Sequence, residues 1–236
     1  FAHHPVLGNA GILYDGSVER RVNYTLEGGD VHPLRPDLLM IGFSERSSPA
    51  AIDELVSLVF SNTAVTNIIV VVMPKENTAI HLDMIFTQVD REQCVIHAPH
   101  FLGAERLSIL HWSKGDATMR EMPNVFVALE QCGMRIEPII CGGKKRIMQE
   151  REQWASGCNF FAIRPGLAVS YARNQETLRE MESAGYRIVG STSFLEGQER
   201  IDDAERAVIT VDGSELVRGG GGPRCMSCPI DRDDVW

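Results

Sequence analysis

The sequence has no apolar run that approaches the roughly 18 residues needed to span a membrane. Its longest apolar run, residues 68–73, is typical of a buried strand. Positive charge is also scarce, because 23 Lys and Arg residues stand against 32 Asp and Glu residues and give a formal charge of −9. This balance argues against a nucleic-acid or anionic-membrane partner and mildly favours a cationic small molecule.

Cysteine is present but lacks the spacing of a disulfide framework. The six cysteines lie at positions 94, 132, 141, 158, 225 and 228, and no signal peptide is recognisable, so we expect free thiols in a reducing compartment, the cytoplasm. A second Cys-x-x-Cys or a His-x-His pair, which a zinc site would need, is missing. We therefore predict no metal.

The most informative segment is the glycine-rich run at residues 219–229, which contains Cys225 and Cys228. A thiol after a glycine run is uncrowded, and nearby backbone N–H groups can stabilise its thiolate. The two cysteines could be a redox pair, metal ligands, buried structural thiols, or a nucleophile and its neighbour. A redox pair normally opens a helix after a strand, whereas Pro229 follows here. A nucleophile needs partners from elsewhere in the chain.

The order strand, strand, helix, strand recurs along the chain. Ser48 as N-cap and Pro49 at the first helical position open the first helix, which is followed by a strand at 68–73. The later predicted parts are strands at 84–87 and 94–97, a helix at 124–132, strands at 135–140, 159–163 and 167–171, a helix capped by Asn174, a strand at 186–189, and the start of a fourth unit at 207–211. Residues 142–156 are expected to form a solvated helix between units. Such units predict one α/β domain over residues 1–236, built as a cyclic or stacked array.

Two short motifs carry groups that a nucleophile could use. In the first, His81 and Asp83 precede a predicted strand, and extended geometry would point both side chains to one face. In the second, Glu27 and Asp30 flank two glycines, which would let a ligand approach the backbone and let the acids bind a cation. Taken singly, each of these residues is more typical of a turn, a cap or a satisfied polar contact than of a functional site.

Six blocks of the sequence resemble, in order, those of the arginine deiminase family. The blocks are residues 26–31, 41–47, 81–87, 151–154, 165–174 and 220–229. The resemblance implies an α/β propeller of five ββαβ units about a pseudo-fivefold axis, of which this chain would hold about three and a half. It also implies hydrolysis of L-arginine to L-citrulline and ammonia without metal or organic cofactor, by an enzyme that is commonly a homo-oligomer.

The resemblance assigns roles to individual residues. Cys225 would attack the guanidinium carbon and form an S-alkylthiouronium intermediate, His81 would act as acid and then as base, and Glu27 and Asp83 would hold the substrate nitrogens. The glycine loop and the bound cation are expected to lower the pKa of Cys225, and Cys228 is expected to be a packing residue. The further substrate-binding candidates are Arg46, for the α-carboxylate, Asp30, Arg224 and Gly222.

The sequence also departs from the family. Arginine deiminases are longer and carry an amino-terminal Phe-x-Arg-Asp block, whose aspartate is a further guanidinium ligand and which does not occur here. We therefore expect a carboxy-terminal portion of a longer protein, which is inactive or folds poorly unless the amino-terminal segment is its partner. Gly220 and Gly221 stand where some members carry an arginine, which leaves another guanidino substrate open. The alternatives are another guanidino-compound hydrolase or amidinotransferase, and a non-catalytic arginine-binding propeller.

Overall fold

The computed structural model describes residues 3–21 and 23–236, which form strands, α-helices and short 3-10 helices. The strands are β1 (Val31–Arg35), β2 (Leu38–Phe43), β3 (Asn67–Val72), β4 (Phe86–Asp90), β5 (Gln93–Ile96), β6 (Ile109–Ser113), β7 (Arg120–Met122), β8 (Glu137–Ile140), β9 (Phe161–Arg164), β10 (Leu167–Tyr171), β11 (Arg187–Gly190) and β12 (Ala207–Val211). The helices are α1 (Gly16–Glu19), α2 (Pro49–Asn62), α3 (Ala98–Phe101), α4 (Val125–Gln131), α5 (Arg146–Trp154), α6 (Gln175–Ser183) and α7 (Ser191–Leu195). The 3-10 helices are Leu7–Ala10, Gly28–Asp30, Leu82–Met84, Leu216–Gly219 and Arg224–Met226.

The strands form separate mixed sheets with the orders β1-β2-β3-β6-β7, β4-β5-β8 and β11-β12-β10-β9. Each sheet starts from an antiparallel hairpin (β1–β2, β4–β5 or β9–β10). A parallel strand then follows in each sheet, on β2, β5 or β10. The α/β class is therefore confirmed. Within the described residues the sheets do not close into a ring, and a pseudo-fivefold arrangement is not observed.

In the first unit, β1-β2-α2-β3, the helix and the strand that follows it form as the sequence predicts. Ser48 accepts a hydrogen bond from the Ala51 N–H group, and Pro49 occupies the first helical turn, where its missing N–H group costs nothing. The face of α2 that carries Ile52, Val56 and Val59 packs on the apolar strands β2 and β3. Each such fully buried side chain contributes about 1.5–3 kcal/mol.

The other repeats are confirmed with one correction. Strands β4 and β5, helix α4 and strand β8 form the second unit, and β9, β10, α6 and β11 form the third. The predicted fourth unit at 207–211 is wrong, because β12 inserts between β10 and β11 and is parallel to both. A strand that is hydrogen-bonded along both edges completes an existing sheet and cannot also begin a new one.

Helix α5 differs from its expected solvated character, because its carboxy-terminal half is tied into the structure. Glu152 and Gln153 are buried. The Glu152 carboxylate accepts hydrogen bonds from the N–H groups of Glu176 and Thr177 at 2.9 and 2.8 Å, and so caps α6. Asn174 occupies the N-cap position as predicted, but its side chain makes no capping hydrogen bond. The capping group thus comes from a neighbouring helix.

Two further observations concern residues 3–21 and 23–236. None of the helices there has both the length and the apolar character needed to cross a bilayer. In the same residues, no group of three or more His, Cys, Asp or Glu side chains is placed to hold a metal ion.

Candidate active site

The glycine run leads into the short 3-10 helix that carries Cys225. Gly221 has φ +94°, a conformation that L side chains rarely adopt, so glycine is required there. All six cysteines are free, and the thiols of Cys225 and Cys228 are the exposed ones. The expectation that Cys228 is a packing residue is therefore wrong, since its side chain faces solvent.

His81 and Asp83 precede strand β4, as predicted, but Asp83 lies in a 3-10 turn where extended backbone was expected. His81 has extended backbone geometry, and the turn Leu82–Met84 follows it. The turn buries Asp83 completely, whereas the His81 side chain keeps 14% of its surface exposed. Both residues line one cavity, so the predicted convergence occurs through a local geometry different from the predicted one.

Glu27 reaches His81 from the other motif. Its Oε2 atom lies 2.6 Å from Nε2 of His81. A carboxylate at this distance orients the imidazole ring. Gly29, between the two acids, allows this approach, because a Cβ atom there would lie 2.7 Å from Cγ of His81.

Asp30 is buried beneath the site and does not line the cavity. Its Oδ2 atom accepts hydrogen bonds from the hydroxyl groups of Ser44 and Ser47, each at 2.6 Å, and its Oδ1 atom accepts one from the Leu82 N–H group at 2.9 Å. The expected contact of Asp30 with substrate does not fit this position, because both oxygens are engaged away from solvent. The carboxylate instead joins the loop after β2 to the segment that bears His81.

Arg224 forms an ion pair with Asp83 inside the site. Its Nη1 atom lies 2.9 Å from Oδ2 of Asp83, and its Nη2 atom donates to the Val31 carbonyl oxygen at 3.0 Å. Burial raises the pKa of the Asp83 carboxyl, and the Arg224 guanidinium opposes this rise. Within the described residues, the buried Oδ1 atom of Asp83 has no hydrogen-bond partner.

The Cys225 thiol lies against the same carboxylate. Its Sγ atom is 3.8 Å from Oδ2 of Asp83. Although the residue as a whole is exposed, its sulfur is partly buried against Asn159. This desolvation first, and the negative charge of Asp83 second, raise the pKa of Cys225. The Gly222 backbone and the Asn159 amide act to lower this pKa, as expected of the glycine loop, but they are outweighed in the protein without substrate.

These side chains share a cavity of about 730 Å³. Its wall includes Glu27, His81, Asp83, Arg224 and Cys225. The structure thus brings together all the residues assigned to chemistry, which lie in three distant segments of the sequence.

The other substrate-binding candidates lie outside the cavity wall. Arg46 is exposed, with its Nη1 atom 3.5 Å from Oε1 of Glu27, so its contact with a substrate carboxylate stays a prediction. Gly222 is buried below Cys225, where it packs against Asn159.

Sequence reasoning missed three polar residues of the site. Asn159 donates to the Cys225 sulfur at 3.3 Å. His32 lies 3.0 Å from the Gly29 carbonyl oxygen and lines the cavity, and burial together with Arg224 holds its pKa well below the usual range. Gln153 donates to the carbonyl oxygens of Thr78 and Met84, on either side of His81. A polar residue inside an apolar run, such as Asn159 between Cys158 and Phe160, is the signal that could have identified it.

Comparisons with known proteins identify the family of the chain. The family profile described as Arginine deiminase matches residues 1–232. An arginine deiminase of Streptococcus equi subsp. equi is 32% identical over 241 residues, covering 100% of this chain and 53% of the relative. One of Streptococcus uberis is 33% identical over 240 residues, covering 100% of this chain and 52% of the relative.

A solved structure shares the fold at low sequence identity. The inosamine-phosphate amidinotransferase of Streptomyces griseus superimposes with a TM-score of 0.50 at 15% identity, covering 87% of this chain and 46% of that chain. The present chain spans about half the length of the curated relatives it matches. The profile match over nearly the whole sequence places the chain in the arginine deiminase family.

Proposed function

We propose that the protein hydrolyses the guanidino group of L-arginine to give L-citrulline and ammonia. The observation that carries this proposal is the convergence of Cys225, His81, Glu27 and Asp83 on one cavity. A guanidinium carbon is a weak electrophile, so the group must be held rigidly beside a strong nucleophile. Carboxylates suit that role, because planar N–H groups pair with their two oxygens.

In the proposed first half-reaction, the Cys225 thiolate attacks the guanidinium carbon. The free Oδ1 atom of Asp83 accepts a substrate N–H group, and the bound cation lowers the pKa of the nearby thiol. A carbon–sulfur bond forms, one carbon–nitrogen bond breaks, and protonated His81 gives its proton to the departing ammonia. Glu27, 2.6 Å from His81, orients the imidazole for this transfer.

In the second half-reaction, water attacks the S-alkylthiouronium carbon. Neutral His81 takes one proton from the water, and the carbon–sulfur bond breaks to release the Cys225 thiolate. The second proton of the water passes to solvent as the neutral ureido product forms. This sequence uses each assigned group within reach of the same cavity.

The chain covers about half the length of its relatives, and the other half could contribute to the proposed activity. We propose that the whole protein completes an α/β propeller, assembles as a homo-oligomer, and gains from its amino-terminal segment a further carboxylate for the guanidinium group. The open sheets of this chain support that proposal. It predicts that citrulline forms from a mixture of this chain with the relatives' amino-terminal segment, and that light scattering reports more than one copy per particle.

The experiment that tests the function is citrulline release from L-arginine by the chain with that segment. Cys225→Ala should abolish turnover, whereas Cys228→Ser, the control at the other exposed cysteine, should retain most of it. Acid quenching should trap an adduct on the peptide that begins at Cys225. Undiminished turnover by Cys225→Ala, or turnover without any adduct, would contradict the mechanism.

Two alternative functions are compatible with this cavity, and experiments on the same protein preparation distinguish them. An amidinotransferase or a hydrolase of another guanidino compound would form the Cys225 adduct but transfer it to an amine, or prefer a different substrate. A non-catalytic binding protein would show heat of arginine binding by calorimetry with neither adduct nor citrulline. The raised pKa of Cys225 in the absence of substrate is compatible with each of them.

A further inference from the structure

Asn159 is a buried amide at the centre of the site. It lies just before β9, between the buried residues Cys158 and Phe160, and has no exposed surface. A primary amide removed from water must find hydrogen-bond partners within the protein, because leaving it unsatisfied is costly. Its partners therefore show what it does.

The Asn159 side chain contacts three parts of the site at once. Its Nδ2 atom lies 3.3 Å from the Cys225 sulfur and 3.3 Å from the Asp83 carbonyl oxygen. Its Oδ1 atom accepts a hydrogen bond from the backbone N–H group of Arg224 at 2.9 Å. One amide thus links the segment that carries Asp83 to the loop that carries the thiol.

These contacts determine which way the amide faces. The Asp83 carbonyl can only accept a hydrogen bond and the Arg224 N–H group can only donate one, so a flipped amide would lose both contacts. Gly222 packs against the same side chain, and a Cβ atom there would lie 2.5 Å from Oδ1 of Asn159. The N–H donor is therefore held toward the Cys225 sulfur.

The Cys225 sulfur contacts two neighbours that have opposite effects on its thiolate. Asp83 presents a carboxylate oxygen at 3.8 Å, which repels a thiolate, whereas Asn159 presents a donor at 3.3 Å. A hydrogen bond to an ionised sulfur favours the ionised form.

We propose that Asn159 is the hydrogen-bond donor that stabilises and orients the Cys225 thiolate, and that it thereby sets the reactivity of the nucleophile. The consequence for turnover rests on the proposed function. The effect on thiol reactivity does not, because it can be measured without arginine.

The experiment measures the rate of Cys225 alkylation by iodoacetamide from neutral to alkaline pH, in a Cys228→Ser background that leaves Cys225 as the exposed thiol. Asn159→Ala should move the midpoint of the pH profile upward by about one unit and slow alkylation about tenfold at neutral pH. Asn159→Asp should move it further, because it replaces the donor with a second carboxylate. Asn174→Asp is the matched control, since Asn174 is equally buried but bonds to the Ala155 carbonyl oxygen. Its profile should match that of the unsubstituted protein.

Either of two alkylation results would overturn the proposal. A shift in Asn159→Asp without one in Asn159→Ala would reveal charge repulsion alone, and an unchanged midpoint in both would remove any role for the amide. Should the alanine variant fail to fold by circular dichroism, the unsubstituted protein still decides the question by NMR. The Asn159 side-chain N–H signals should titrate at the alkylation midpoint and stop titrating once Cys225 is alkylated or replaced by Ser. Signals insensitive to both would also overturn it.

Discussion

The guanidinium group of Arg224 lies 2.9 Å from Asp83, the carboxylate that we propose to hold the guanidinium group of the substrate. The protein thus places its own guanidinium beside the carboxylate proposed to receive another. Asp83 keeps its Oδ1 atom free within the described structure, so a substrate can bind there or displace Arg224 from Oδ2. The pair also moderates the burial of a carboxylate that would otherwise be strongly disfavoured as an ion.

Asp83→Asn should make Cys225 more reactive while removing the proposed substrate contact. The Asp83 charge raises the pKa of the thiol, so a neutral amide should lower that pKa and speed alkylation at neutral pH, on the order of threefold to tenfold. Iodoacetamide kinetics in the Cys228→Ser background measure this change. Asp37→Asn, at an ion pair with Arg35 in the β1–β2 turn, is the control and should leave the rate unchanged. A slower reaction in Asp83→Asn would contradict the prediction.

The same substitution should change how stability depends on pH. Burial raises the folded-state pKa of Asp83 above its unfolded value, so its stabilising contribution is complete below the unfolded pKa and is lost as pH rises through the folded pKa. The free energy of unfolding of Asp83→Asn should therefore improve relative to the unsubstituted protein as pH rises through that window. Urea denaturation at several pH values measures the difference. A difference that is constant with pH would contradict the assigned direction.

Gly29 and Gly28 offer a matched pair of substitutions in one 3-10 helix. A Cβ atom at Gly29 would lie 2.7 Å from the His81 ring, whereas one at Gly28 would meet nothing within 4 Å. Gly29→Ala should displace His81 and destabilise the protein by about 1–3 kcal/mol, as overpacking does. Gly28→Ala should be nearly neutral. Thermal unfolding measures the stability of both variants, and the NMR shifts of His81 report on its ring locally. Equal effects of the two substitutions would contradict the importance of the Gly29–His81 contact.

Glu152→Ala should uncap α6. Its carboxylate accepts hydrogen bonds from the N–H groups of Glu176 and Thr177, so its loss should cost about 1–2 kcal/mol. Glu150→Ala on the same helix removes only an exposed ion pair with Arg146, and should cost less than about 0.5 kcal/mol. Chemical denaturation compares the two. Equal losses would argue against a capping role.

Much of the fold was predictable because local rules governed it. The Ser48–Pro49 helix start, the strand at 68–73 and the alternation of strands with helices depend on neighbours in the sequence. The fate of 207–211 was not predictable, because a short apolar strand pairs equally well with several edges. Its insertion between β10 and β11 depends on tertiary contacts within the assembled sheet.

The site divides in the same way. The motifs identified Cys225, His81, Glu27 and Asp83 as groups with the right chemistry, because residue type and spacing are written in the chain. The sequence does not record the distances between segments more than 50 residues apart. The His81–Glu27 contact and the burial of Asp30 therefore could not be predicted from it.

The sequence by itself determined the α/β class and the family, and it supplied the side chains that we propose to react, because these depend on composition, periodicity and motif. Only the tertiary structure decided that Asp30 supports the site from below, that Arg224 pairs with Asp83, and that Asn159 faces the thiol. It also decided that the pKa of Cys225 is raised where the glycine loop alone predicts a lower one. The physical reason is that burial and charge act through space, and the neighbours that impose them on Cys225 come from segments far apart in the sequence.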